Sequence, residues 1–240
     1  MRNTAKFGSF SITTSLDEIN LNDGGVINTI NPHSYVVSNK DYYFKRALIQ
    51  SDYLFPDGVG IVLAHRILNG GRIHKIAGYD IFIYMMTKLN DIKGSCFFLG
   101  SSNKTLELIK TKATKEFPDV HVSYYSPPYK ESFTTKDSKK MISAVNAAKP
   151  GVLFVGMTAP KQEKWVNKNK DLLFSETICS IGAVFDFYAG NFKRAPKLII
   201  NLGLEWLFRS IQSRRLFKRN FVSNPKFIFC IIKEKYFKLV

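Results

Sequence analysis

The stretch Gly151-Val152-Leu153-Phe154-Val155-Gly156-Met157-Thr158-Ala159-Pro160-Lys161-Gln162-Glu163 constrains the fold of this chain more than any other. An apolar run between two glycines is the pattern of a strand covered on both faces. Pro160 suits the first turn of a helix, where its missing N–H is no loss. Gln162 and Glu163 then fall in that turn, beside free N–H groups and the positive end of the helix dipole. In an open α/β sheet such a turn receives anionic ligands. Taken alone, the segment reads equally well as an ordinary strand-to-helix connection.

The rest of the chain repeats the pattern. Apolar runs at 26–30, 53–55, 96–100, 120–124, 152–155 and 178–181 read as strands. Helix-period segments lie between them, over 34–50, 59–68, 79–89, 103–116 and 134–148, with another starting at Pro160. Ser101, Ser102 and Asn103 supply one N-terminal cap, and Thr134 or Thr135 another. Such alternation predicts an α/β fold, a Rossmann-like and mostly parallel sheet with helices on both faces. Right-handed crossovers then put the strand-end loops on one edge. After Pro196 the texture changes to helices with basic and aromatic faces. We therefore divide the chain into a core, 1–195, and a basic amphipathic C-terminal appendage, 196–240.

Length and composition fit one large α/β domain with an appendage. Cys96, Cys179 and Cys230 are far apart, in neither a disulfide framework nor a zinc spacing, which fits a reducing compartment. No apolar h-region follows Met1, so a secretion signal is not expected. No apolar run approaches the roughly 20 residues needed to cross a bilayer. Between Lys193 and Lys238 stand twelve Lys or Arg against two acids, which is ten of the chain's sixteen net positive charges. A basic tail rich in Phe, Leu and Ile attracts anionic lipid or nucleic acid, or is a solvated helix face. Lysines alternate with apolar blocks from Asn224 to Val240, as in a segment lying in a membrane interface or in a terminal helix docked on the protein.

Polar residues recur just past the strand ends: Thr29 and Asn31, Asp57, Gly100 and Ser101, Gln162 and Glu163, and Asp186. The strand-end rule brings these loops to one crevice. Asp57, held between Pro56 and Gly58 with Gly60 two residues on, suits a general base that faces a ligand closely. It equally suits the cap of the next helix. Gly-x-Gly-x-x-Gly after the first strand and a phosphate-loop Gly-Lys-Ser/Thr are both absent, which disfavours a dinucleotide dehydrogenase or a P-loop ATPase. The chain also lacks any Asp-x-Asp, the metal-holding motif of many UDP-sugar enzymes.

Together the motifs resemble the WecG/TagA/CpsF family of bacterial glycosyltransferases. The matching pieces are Asn28-Thr29-Ile30-Asn31, Pro56-Asp57-Gly58-Val59-Gly60, Gly78-Tyr79-Asp80 and Phe98-Leu99-Gly100. They continue with Val155 to Trp165, Gly182 to Gly190, Arg194-Ala195-Pro196 and Gly203 to Arg209, in the family's order. The missing Asp-x-Asp favours metal independence and direct displacement would invert the anomeric configuration, while the resemblance implies a glycosyltransferase that uses no cofactor. It would move N-acetylmannosamine, its uronic acid or a related hexose from a UDP-sugar to a polyprenyl-diphosphate-linked sugar, for teichoic acid or another surface polysaccharide. It implies a peripheral position on the cytoplasmic face of the cell membrane, no nucleic-acid partner, and leaves homo-oligomer formation open. By the same resemblance Asp57 is the base, and Thr29 and Gln162 position substrate. Asn31, Gly58, Gly60, Gly100, Ser101, Tyr129, Gly156, Glu163, Asp186 and Arg194 form the substrate and nucleotide site. Arg209, Arg214, Arg215 and Arg219 meet the lipid diphosphate. The chain departs from the family in having Ser101 where a second glycine is common. It also lacks a proline before Arg214-Arg215, which leaves open which of Arg214, Arg215 and Arg219 correspond to the family's arginines. Charge alone supports the alternative of a basic nucleic-acid-binding α/β protein.

Overall fold

The computed structural model of the chain describes residues 4–21, 23–192, 195–201 and 203–237. It begins with a hairpin, β1 (Thr4–Phe7) and β2 (Phe10–Thr13), that no sequence pattern announced. The core strands are β3 (Gly25–Ile30), β4 (Tyr53–Pro56), β5 (Ser95–Gly100), β6 (His121–Tyr125), β7 (Val152–Gly156) and β8 (Thr177–Ser180). They form one six-stranded sheet in the order β4-β3-β8-β7-β5-β6. Every pairing in it is parallel. All strand C-termini therefore reach the same edge.

The helices between the strands are α1 (Pro32–Ser38), α2 (Tyr42–Ile49), α3 (Val59–Asn69), α4 (Gly78–Asp91), α5 (Asn103–Glu116), α6 (Thr135–Ala148) and α7 (Lys161–Asn169). The expected helix over 34–50 is two helices. Asp41 breaks the pattern because its carboxylate accepts from the Phe44 N–H and caps α2. Thr134 caps α6 in a reciprocal capping box with Asp137. Pro160 stands at the N-cap of α7, one residue earlier than expected.

Alternation along the strands builds two cores, since successive side chains point to opposite faces. Cys96, Phe98, Val152 and Phe154 pack under α4 and α5 with Phe82, Met85 and Ile109. Phe97, Leu99, Leu153 and Val155 pack under α6 and α7 with Met141, Val145 and Val166. Each fully buried aromatic or aliphatic side chain contributes roughly 1.5–3 kcal/mol.

Beyond β8 come α8 (Val184–Tyr188), α9 (Lys197–Asn201), α10 (Glu205–Gln212) and the long α11 (Arg214–Phe237). The α11 helix lies along α1. Phe227 and Ile231 are buried with Phe7, Phe10, Tyr35 and Ile61 in a third core. Tyr35 donates to Glu234 Oε2 at 2.8 Å, and His33 Nδ1 is 2.7 Å from Ser223 Oγ. One face of α11 is thus docked on the protein, while Phe217, Phe221, Ile228, Phe229, Ile232 and Tyr236 on other faces are exposed. No helix among the described residues is long and apolar enough to cross a membrane. Cys96, Cys179 and Cys230 are free thiols.

Candidate active site

A cavity of about 820 Å³ opens at the C-terminal edge of the sheet, within the usual range of roughly 300–1,000 Å³ for ligand pockets. Thr29, Asn31, Asp57, Ser101, Tyr129, Gly156, Gln162, Glu163, Asp186 and Arg219 all line it. These residues are separated by up to 190 positions in sequence, and the parallel sheet is what brings them together.

The β3 and β4 strand ends are tied to each other. The Asp57 N–H donates to the Ile30 carbonyl at 2.8 Å. Gly58 follows with φ 102°, a conformation that disfavours any side chain, and it is the N-cap of α3 without a side-chain cap bond. Asn31 does cap a helix: its Oδ1 accepts from the Ser34 N–H at 2.9 Å, with Pro32 in the first turn of α1. Gly60 does not line the cavity; a Cβ there would come to 2.7 Å from Pro32, so its glycine lets the start of α3 pass close to the Pro32 ring. Gly100 does not line it either. It sits opposite Gly156 in the β5–β7 register with φ 128°, and a Cβ would run into the Gly156 carbonyl.

At the start of α7, Gln162 Oε1 accepts from the Met157 N–H at 3.1 Å, and Gln162 Nε2 donates to Glu163 Oε1 at 2.9 Å. Both side chains are buried, at 4 % exposure each. Burial pushes the Glu163 carboxyl up to about 7, against the pull of the Gln162 hydrogen bond. Its Oε2 has no hydrogen-bond partner, nor has the buried Ser180 hydroxyl, which also lines the cavity. The expectation that Glu163 would sit beside free helix N–H groups misses this desolvation.

On the opposite wall, Ser101 takes φ 55° and Ser102 caps α5 by accepting from the Thr105 N–H at 3.2 Å. Asp186 lies in the first turn of α8, and Asn191 Nδ2 donates to Thr105 Oγ1 at 3.1 Å beside it. The loop 126–133 forms a rim. Ser126 donates to the Ser101 carbonyl at 2.7 Å, while Lys161 Nζ donates to the Lys130 carbonyl at 2.7 Å and lies over the Phe133 ring. Tyr129 on this rim is fully exposed.

The C-terminal helices close the remaining side through Glu205, Gln212, Ser213, Leu216 and Arg219. Glu205 pairs with Lys75 at 2.6 Å. His33, near Arg219, is held down to about 4 by burial and then by that guanidinium, so it is neutral at physiological pH. Arg214 does not line the cavity. Arg194 lies outside the described residues, and Arg209 and Arg215 are placed only as backbone positions on α10 and α11. Among the described residues no three His, Cys, Asp or Glu side chains are placed to hold a metal ion. The sequence reading did not single out Tyr79, Lys161, Phe187, Phe192 and Glu205 as site residues, although all line the cavity. A signal was available for Tyr79, Lys161, Phe187 and Glu205, which stand inside Gly78-Tyr79-Asp80, Val155 to Trp165, Gly182 to Gly190 and Gly203 to Arg209, but not for Phe192.

The chain is 31 % identical over 212 residues to the N-acetylglucosaminyldiphosphoundecaprenol N-acetyl-beta-D-mannosaminyltransferase of Bacillus subtilis (strain 168), a match covering 88 % of this chain and 80 % of that protein. It is 28 % identical over 229 residues to the protein of the same name from Bacillus spizizenii, covering 95 % and 86 %. The Staphylococcus aureus (strain MW2) protein of that name is 24 % identical over 207 residues, covering 86 % and 79 %. Residues 6–239, nearly the full length, match the glycosyl transferase WecG/TagA/CpsF family, and the chain belongs to that family.

Proposed function

We propose that the cavity binds a UDP-sugar and the sugar end of a polyprenyl-diphosphate-linked acceptor, and that the chain transfers the sugar between them. The observation that carries this reading is the meeting of Thr29, Asp57 and Gln162, from three strand ends, on one cavity wall system. N-acetylmannosamine is the favoured donor sugar, by analogy with the named relatives.

The chemistry is a displacement at the anomeric carbon. The acceptor hydroxyl oxygen bonds to that carbon as the bond to the UDP oxygen breaks, and the configuration inverts. Asp57 takes the hydroxyl proton. UDP leaves with the bonding electrons, and positive potential on its side of the cavity stabilises it. Arg219, on the cavity wall, supplies part of that potential, and its planar fork also suits the bidentate contact to the lipid diphosphate. Thr29 and Gln162 orient the sugars, and Ser101 with Asp186 holds the nucleotide. No metal is assigned a role, consistent with the missing Asp-x-Asp.

The acceptor is a membrane lipid, so the chain must meet a membrane surface. The exposed Phe217, Phe221, Ile228 and Phe229, interleaved with Lys218, Lys226 and Lys233 on α11, support peripheral docking at the cytoplasmic face. The 196–240 segment is then a membrane-docking cap that also walls the site.

A panel of UDP-sugars with a short-chain polyprenyl-diphosphate-N-acetylglucosamine acceptor tests the reading, with UDP release followed with and without EDTA. Acceptor-dependent release from UDP-N-acetylmannosamine, unchanged by EDTA, is the expected result. Failure to release UDP from any donor sinks the reading. Loss of turnover in EDTA, restored by a divalent cation, sinks its metal-independent part.

A further inference from the structure

The buried pair Gln162–Glu163 carries more information than a shared place on the cavity wall. A backbone N–H can only donate, so the Met157 N–H requires the oxygen of the Gln162 amide to face it, as it does at 3.1 Å. That orientation sends Gln162 Nε2 toward Glu163 Oε1, at 2.9 Å. Turning the amide over would set N–H against N–H at Met157 and oxygen against oxygen at Glu163. The two contacts therefore agree on one orientation. Oε1 can accept whether or not the other carboxyl oxygen carries a proton. One of the two amide hydrogens is taken by Glu163, and the second is left for the cavity.

The carboxyl is otherwise hard to explain. Its residue is 4 % exposed, and its Oε2 has no partner. A buried acid with an unpartnered oxygen costs stability, and an apolar side chain of the same length would fill the space without that cost. A purely packing position on the inner face of α7 has no need of it.

We propose that Glu163 is a positioning residue for Gln162, a carboxyl whose Oε1 fixes the facing of the Gln162 amide so that one N–H stays directed to the substrate. The proposal rests on the reading of the cavity as the transfer site. It predicts that the effect of Glu163 on turnover passes entirely through Gln162.

The test compares E163M, E163Q, Q162A and the double variant Q162A/E163M. E163M lowers kcat by about tenfold to a hundredfold, as expected for a misoriented substrate contact, while its thermal midpoint does not fall. E163Q keeps an acceptor oxygen and recovers most of that loss. The double variant is no slower than Q162A alone. Turnover of E163M at the wild-type rate overturns the proposal, as do losses that multiply in the double variant. E163Q as slow as E163M also overturns it, because the carboxylate would then act itself.

A second readout needs no turnover. The chain has three glutamines, Gln50, Gln162 and Gln212, so the Gln162 side-chain amide in ¹⁵N-glutamine-labelled protein is assigned by its loss in Q162A. Its two proton resonances should be well separated in the wild type and in E163Q, and should collapse toward each other in E163M. An amide signal unmoved by E163M overturns the proposal even if no donor releases UDP, a result that would remove the functional reading separately.

Discussion

Lys75 Nζ lies 2.6 Å from Glu205 Oε2, tying the segment ahead of α4 to the first turn of α10. The two side chains are 22 % and 17 % exposed. Glu205 also faces the cavity, and α10 leads directly into α11, which carries Arg219. The pair therefore holds the C-terminal helices in register with the strand-end loops.

K75M should loosen that closure without unfolding the core. A half-buried ion pair of this kind is expected to be worth about 1–2 kcal/mol, between the exposed and buried limits. Faster amide exchange in 204–213 than in the wild type, with unchanged exchange in β5 and β7, is the expected result. The exchanged pair K75E/E205K should recover part of the protection. Equal exchange in K75M and wild type would show that the helices are held by packing alone.

Asp57→Asn should lower transfer by about a hundredfold to ten-thousandfold. The carboxamide matches the carboxylate in shape, and the Asp57 backbone N–H keeps its bond to Ile30. The thermal midpoint and the affinity for UDP should therefore stay near wild type. A variant that turns over normally on the lipid-linked acceptor removes Asp57 from the role of base.

The parts of the fold readable from sequence were those with their own periodicity. The apolar runs of β5, β7 and β8 and the caps at Ser102 and Thr134 are local signals, and the structure uses them as read. The hairpin Thr4–Thr13 was not readable, because its strands alternate weakly and gain their core from residues spread along the chain, among them Tyr35, Leu54, Ile61, Phe227 and Ile231. The split at Asp41 was hidden by apolar residues that fit one long helix as well as two. At the site, the identity of the strand-end residues was legible, but their partners were not. Nothing local to Glu163 says that it is desolvated, and nothing local to Glu205 says that its partner is Lys75. Both facts come from tertiary packing between distant segments.

Gly156→Ala tests the tightness of the site's floor. A Cβ at Gly156 would collide with the Phe185 ring, which is 2 % exposed and packs on Phe98. Neither ring has space to retreat, so the substitution should destabilise by about 1–3 kcal/mol. It should also weaken UDP binding, because α8 carries Asp186 beside Phe185. Gly190, at φ 82° with open space around its Cβ position, is the control. Gly190→Ala should cost only its backbone strain, on the order of 1 kcal/mol, and leave UDP affinity unchanged. Urea unfolding and UDP titration of both variants separate the two effects, and equal stability of the two would contradict the contact.

The Glu163 carboxyl gives stability a dependence on pH with a definite sign. Its ordinary value is 4.5, and burial raises it to about 7 in the folded protein. Between those values the folded state holds a proton that the unfolded state releases, so this group lowers stability as pH rises. The change is complete above the folded value and amounts to about 3 kcal/mol, from roughly 1.4 kcal/mol per unit. His33 acts with the opposite sign. Its value is lowered from 6.5 to about 4, so stability is lost as pH falls through that window. Comparing E163Q with wild type cancels the histidine, which is the same in both. The stability of E163Q relative to wild type should therefore rise between pH 4.5 and 7 and level off above. Urea midpoints at half-unit intervals measure it, and a difference that stays flat across that range would mean that Glu163 ionises in the folded protein as it does in the unfolded chain.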